Sequence, residues 1–166
     1  MFRTRKAKTP TDAPDDPVAA ARAQALKLLT RREHARGELL EKLVVRGHDR
    51  TLAGGVLDEL AGQGLLSEAR FVAHLVSVKA GRGVGPLRIA AELRGKGVAK
   101  GDARAGLDAA GTDWAAECAR VRRKRFGAEL PRAAAERAKQ ARFLQQRGFT
   151  SEHIRRALAG EVDEGL

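Results

Sequence analysis

The sequence repeats itself at an interval of about 50 residues, and that interval limits what the chain can fold into. ELLEKLVVRGH (38–48), RIAAELRGKGV (88–98) and KQARFLQQRGF (139–149) each close on a basic residue, a glycine and one further residue. Gly47, Gly97 and Gly148 lie 50 and 51 residues apart, preceded directly by Arg46, Lys96 and Arg147. Four residues upstream of each glycine stands Leu43, Leu93 or Leu144; ten residues downstream stands Leu57, Leu107 or Leu158. A helix commonly stops with Gly in the left-handed conformation just past its end, and a cation in the last turn suits the negative pole of its dipole. Each copy therefore predicts a helix, a glycine stop, an apolar latch (His48, Val98 or Phe149) and a second helix. A further helical stretch precedes each pair, at about 18–31, 67–80 and 113–125. Three helices in 50 residues bury little apolar area alone, so the copies are expected to stack into an elongated, curved array.

Composition agrees with that expectation. The chain holds 31 Ala and 19 Leu against 20 Val, Ile and Thr together. Residues that lose little freedom in a helix outnumber those that favour strands, which predicts an all-α fold. The repeats are placed at 17–63, 64–111 and 112–160. Residues 1–16 hold Thr, Pro and mixed charge with almost nothing to bury, and read as a disordered arm. Residues 161–166 read as a frayed acidic tail. Asp16 before Pro17, Ser67, Pro86 and Thr150 mark helix starts. Ala35 stands where a capping box with Glu38 would want Ser or Thr, at a cost of about 1 kcal/mol.

Charge directs attention to the third copy. Of the 166 residues, 32 are Lys or Arg and 21 are Asp or Glu, a net +11. Residues 112–160 alone carry +7, against +2 for 18–66. Arg120, Arg122, Arg123, Lys124 and Arg125 form a near-continuous run, followed by Arg132, Arg137, Lys139, Arg142, Arg147, Arg155 and Arg156. Taken singly each is an ordinary solvated cation; taken together they suit a DNA backbone or an acidic protein groove. Aromatic residues make up 4% of the chain, so base reading by rows of stacked rings is not indicated.

Catalytic and metal chemistry find no constellation. GRGVG (81–85) lacks the preceding strand and the Gly-Lys-Ser/Thr ending of a phosphate loop, and reads as a flexible connection between helices. His34, His48, His74 and His153 show no metal-ligand spacing. Cys118 sits one turn from Trp114 on what reads as a buried stripe, with no base nominated beside it. Asp58 and Glu59 lie among arginines as solvated ion pairs. A single cysteine allows no intramolecular disulfide and suits a reducing, cytoplasmic setting. No apolar run reaches the roughly 18 residues of a membrane span, and the basic start lacks the apolar core of a secretory signal.

GLLSEARF (64–71), GPLRIAAELRGKGV (85–98), RKRFG (123–127) and ARFLQQRGFTSEHIRRAL (141–158) resemble the signatures of the RecX family, regulators of the RecA recombinase. The likeness runs from about Ala25 to Leu158, and is most specific at Gly64, Leu65 and Leu66, at Arg70 and Phe71, and at Arg147, Gly148 and Phe149. It implies an elongated, non-enzymatic protein lodged in the groove of the RecA–DNA filament. It also implies inhibition of ATP hydrolysis, strand exchange and co-protease activity in recombination, DNA repair and the SOS response. A groove-filler needs its faces free, so a monomer is expected, and no residue constellation calls for a cofactor. A stand-alone DNA-binding protein that competes for DNA remains the alternative reading of the same charge.

Overall fold

The computed structural model describes residues 16–162. Among these residues there are nine helices and no strand: α1 (Pro17–Leu29), α2 (Arg36–Val45), α3 (Arg50–Gly62), α4 (Glu68–Gly81), α5 (Pro86–Gly95), α6 (Lys100–Ala109), α7 (Trp114–Phe126), α8 (Ala134–Gln146) and α9 (Ser151–Ala159). They group as three repeats of three, each with its three helices packed on one another. None is long and apolar enough to cross a membrane. The expected arm lies outside the described residues except for Asp16, whose carboxylate accepts from the Val18 and Ala19 amides and caps α1.

The glycine stops take one form in all three repeats. Gly47, Gly97 and Gly148 have φ of 94°, 86° and 95°, just past the ends of α2, α5 and α8. The amide of the next residue then donates back to the recurring leucine: His48 to Leu43 O at 3.1 Å, Val98 to Leu93 O at 3.0 Å, Phe149 to Leu144 O at 3.2 Å. This is the six-to-one bond of a Schellman ending, and it explains why the leucine, the glycine and the latch recur together. Val98 and Phe149 are buried beneath it. His48 is half-buried, with Nε2 2.7 Å from Gln24 Oε1, so the polar latch of the first repeat has a polar partner.

Each repeat owns a core. Leu39, Leu43, Leu57 and Leu60 fill the first, Phe71, Val76, Ile89 and Leu93 the second, and Cys118, Leu144, Phe149 and Leu158 the third. Two residues belong to a neighbour's core: Ala35, from the first repeat, packs into the second, and Trp114 touches both the second and the third. Ala35 is the N-cap of α2 and makes no side-chain cap bond. Its fully buried methyl group serves the junction instead.

The repeats meet backbone to backbone. A Cβ on Gly37, at the start of α2, would lie 3.2 Å from Gly97 Cα. A Cβ on Gly85, the N-cap of α5, would lie 2.3 Å from the carbonyl carbon of Gly148. Gly85 N donates to Arg147 O at 2.7 Å and Leu87 N to Gly148 O at 3.0 Å. The stop glycine of each later repeat thus rests on the start of the middle helix in the repeat before it. GRGVG (81–85), expected to be a flexible connection, is this junction, and the close approach excludes a side chain at Gly85 and crowds one at Gly83. At the far end, Glu161 pairs with Arg155 at 2.9 Å and Val162 packs into the third core, so these two residues of the expected frayed tail are held in place; the rest of it lies outside the described residues.

Candidate nucleic-acid interface

α7 delivers the arginine run of the sequence, but its helical turn sorts that run onto two faces. Ala115, Cys118, Ala119 and Arg122 recur at three and four residues and lie on the buried side. Arg122 is 3% exposed; its guanidinium donates to Glu129 O at 3.0 Å and Ala128 O at 3.3 Å. It ties down the loop after α7 and offers nothing to a ligand, which corrects its assignment to a binding surface. The periodicity was visible within the run, since Arg122 is four residues from Cys118, but five basic residues in six positions mask it. Burial pushes the Cys118 thiol up to about 12, against a weaker opposing pull from the Arg122 charge, so no thiolate nucleophile forms near neutral pH.

Arg120, Lys124 and Arg125 take the exposed side of α7. Arg120 chelates Glu117 at 2.7 Å and 3.0 Å, and Arg125 lies over the Phe126 ring at 5.3 Å. Lys124 has no carboxylate partner among the described residues, while Arg123 is half-buried. Arg147, at the end of α8, reaches across the junction and donates to Gly83 O at 3.0 Å and Arg82 O at 2.6 Å. It fastens the second repeat to the third, a role that its position in the repeat did not announce.

The remaining cations do not share that face. Arg132 and Arg137 line a separate hollow beside Glu129 and Leu130. Lys139 sits 3.8 Å from Glu136 and 5.9 Å from the Phe126 ring centre. Arg155 is held between Glu152 and Glu161, each at 2.9 Å, and Arg156 reaches Glu161 O at 3.5 Å. Arg142 is exposed on α8. A cleft at the second–third junction brings together Arg120, Lys124, Arg125 and Arg147 from the expected set and adds Arg82, which the sequence reading omitted. The one signal for Arg82 was its place between two glycines that must fold tightly.

The first junction has a different character. Glu38 receives Lys42 at 3.0 Å and Lys96 at 3.7 Å and is bridged by Arg32, while Glu33 holds Arg70 at 2.8 Å. Arg70 also donates to Gly64 O, so the Arg-Phe signature fixes the turn before α4 while Phe71 enters the core. Burial raises the Glu38 carboxyl, but hydrogen bonds from Arg32 and Lys42 and their charges outweigh it and hold the group at about 2. The buried His34 ring lies 3.0 Å from Arg32 O through Nδ1 and 3.1 Å from Lys42 Nζ through Nε2. An ammonium can only donate and a carbonyl only accept, so Nδ1 carries the proton and the ring is neutral. Among the described residues no group of three or more His, Cys, Asp and Glu could hold a metal ion.

Comparison with known proteins agrees with the three-part division. Three family models match in tandem: the first three-helix domain of RecX at residues 21–60, the second at 67–107 and the third at 113–158. A protein of Halorhodospira halophila named Regulatory protein RecX is 49% identical over 145 residues, covering 87% of this chain and 89% of its own. One of the same name from Ectopseudomonas mendocina is 44% identical over 146 residues, covering 88% and 97%. The crystal structure of RecX from Lactobacillus salivarius superimposes with a TM-score of 0.73 at 18% identity, covering 87% of this chain and 96% of that one.

Proposed function

The chain belongs to the RecX family, and from that premise we propose that it is a negative modulator of a RecA-type recombinase in the cytoplasm. It lodges as a monomer in the groove of the RecA–DNA filament and lowers ATP hydrolysis, strand exchange and co-protease activity without chemistry of its own. The observation that carries this reading is the joining of the repeats. Backbone contacts at Gly37–Gly97 and Gly85–Gly148 leave no room for sliding, so three small units act as one stiff body able to span neighbouring subunits of an assembly. The cations of the third repeat then reach phosphate or acidic filament surfaces beside that body.

Purified protein is expected to suppress DNA-dependent ATP hydrolysis by RecA at substoichiometric to stoichiometric ratios. No suppression at large molar excess in low salt overturns the reading. A second reading, a stand-alone binder that occupies DNA, is favoured by the cationic cleft at the second–third junction. Salt titrations separate the two, because a competitor must bind bare DNA tightly, with a slope of several phosphates. A modulator binds bare DNA weakly and the filament strongly.

A further inference from the structure

The cleft at the second–third junction has a volume of about 300 Å³. Arg82, Arg120, Lys124, Arg125 and Arg147 surround it, and no described carboxylate lines it. Val121 and Phe143 form an apolar floor. A concave site with cations of one sign over low-dielectric walls concentrates the field and draws anions. We propose that this cleft grips the phosphodiester backbone of a DNA strand, with Arg82 and Lys124 as the principal phosphate contacts. The inference deepens the functional reading above, in which third-repeat cations reach phosphate, and assigns that contact to a seam between two repeats.

The alternatives within the cleft are removed by what its groups already do. Arg147 uses its guanidinium on the carbonyls of Arg82 and Gly83. It thereby neutralises the negative ends of the turn that would otherwise repel a phosphate. Arg120 is held by Glu117, and Arg125 lies over the Phe126 ring at 5.3 Å. Arg82 and Lys124 are exposed and have no ion-pair partner among the described residues. Both can meet a phosphate without first breaking a salt bridge.

The GRGVG turn does not act as an amide cradle. Arg82 N donates to Val78 O and Lys79 O, Gly83 N to Ala80 O, Val84 N to Lys79 O and Gly85 N to Arg147 O. With these amides occupied, a phosphate can be held only by side-chain cations around an open cleft. That arrangement suits a polyanion passing over it and reads no base sequence. Two exposed cations, Arg82 from the second repeat and Lys124 from the third, suit a strand with successive phosphates better than a single inorganic phosphate.

The test measures binding of labelled oligodeoxythymidine, without RecA, across a salt series for the wild type and for the double variant Arg82→Gln, Lys124→Gln. Loss of two single-strand phosphate contacts is expected to lower the slope of log K against log salt by about 1.4 and low-salt affinity by about tenfold. The circular dichroism melt should be unchanged, because neither side chain packs into a core. A control double variant, Arg94→Gln with Arg104→Gln, lies outside the cleft and should leave the slope within error. Undetectable wild-type binding at low salt, an unchanged slope in the cleft variant, or equal losses in the control each overturn the assignment. Complete displacement of the oligonucleotide by millimolar inorganic phosphate at constant ionic strength overturns the polymer in favour of a phosphate-ion site. RecA ATPase inhibition by the same proteins is read separately: inhibition lost in the wild type defeats the functional reading, whereas inhibition without a cleft-dependent slope defeats only this one.

Discussion

Two neighbouring basic residues of α7 have opposite fates, and their difference is a stability measurement. Arg122 is sealed under the loop that follows the helix, its Nε without a partner and its other nitrogens on two carbonyls. Burial lowers its pKa, the nearby Arg123 charge adding to the effect, so the site already tolerates a charge at some expense. Arg122→Glu places a carboxylate against carbonyl oxygens and should destabilise by at least about 3 kcal/mol. Lys124→Glu, two residues on and exposed, should stay within about 0.5 kcal/mol. Thermal melts compare the two directly, and equal melting temperatures would contradict the burial of Arg122. Charge reversal of the whole run therefore confounds folding with binding, and Arg122 must be left intact in any test of the surface.

At the level of helices, the glycine stops, the caps at Asp16, Ser67 and Thr150 and the three-helix grouping were all legible in the sequence, because they depend on residues within one turn of each other. The capture of Glu38 was not. Glu38 and Ala35 look like a broken capping box, yet the carboxylate is held by Arg32, Lys42 and Lys96, the last from another repeat. Spacing along one helix carries no information about which repeat lies against it. The knot has a pH signature. Glu38 titrates at about 2 in the fold against 4.5 unfolded, a depressed carboxyl whose contribution is complete above 4.5 and lost as pH falls toward 2. That contribution is on the order of 3 kcal/mol. His34 and His153 are both lowered from 6.5, first by burial, so the unfolded chain takes up protons before the folded one. Stability should be level above about pH 7, fall as pH drops through 6.5, and fall again below 4.5. In His153 the effect has a structural target, since Nδ1 accepts the Thr150 amide of the last capping box. Denaturant midpoints from pH 8 to 3 measure both steps; Glu38→Gln should shrink the lower one, to which Glu41 and Glu152, also held down by arginines, still contribute, and a midpoint flat from pH 7 to 5 would contradict the neutral histidines.

Over the whole molecule, three cores too small to stand alone are coupled by contacts that the repeat pattern foretells only in outline. The interval of 50 residues shows that units stack, but the seam itself, Gly85 against Gly148, joins residues more than 60 positions apart. The same seam explains why the binding surface was only partly read: the cleft takes Arg82 from one repeat and Lys124 from the next. Gly85→Ala is the sharpest probe of this coupling. Its methyl carbon would sit 2.3 Å from backbone rather than from a flexible side chain, so the third repeat must shift away. The loss falls on the interface and leaves each repeat's interior unchanged, which in a linear array should divide one cooperative transition into two. Trp114, the single tryptophan, packs on the cores of both the second and third repeats and reports on that interface. In the wild type, tryptophan fluorescence and the helical circular dichroism signal should give one coincident denaturant midpoint. In Gly85→Ala the fluorescence transition should precede the loss of most helix, while Gly55→Ala, on a helix where a Cβ meets nothing within 4 Å, should keep the transitions together and add about 0.5–1 kcal/mol. Coincident transitions in Gly85→Ala would mean that the repeats are coupled elsewhere than at this seam.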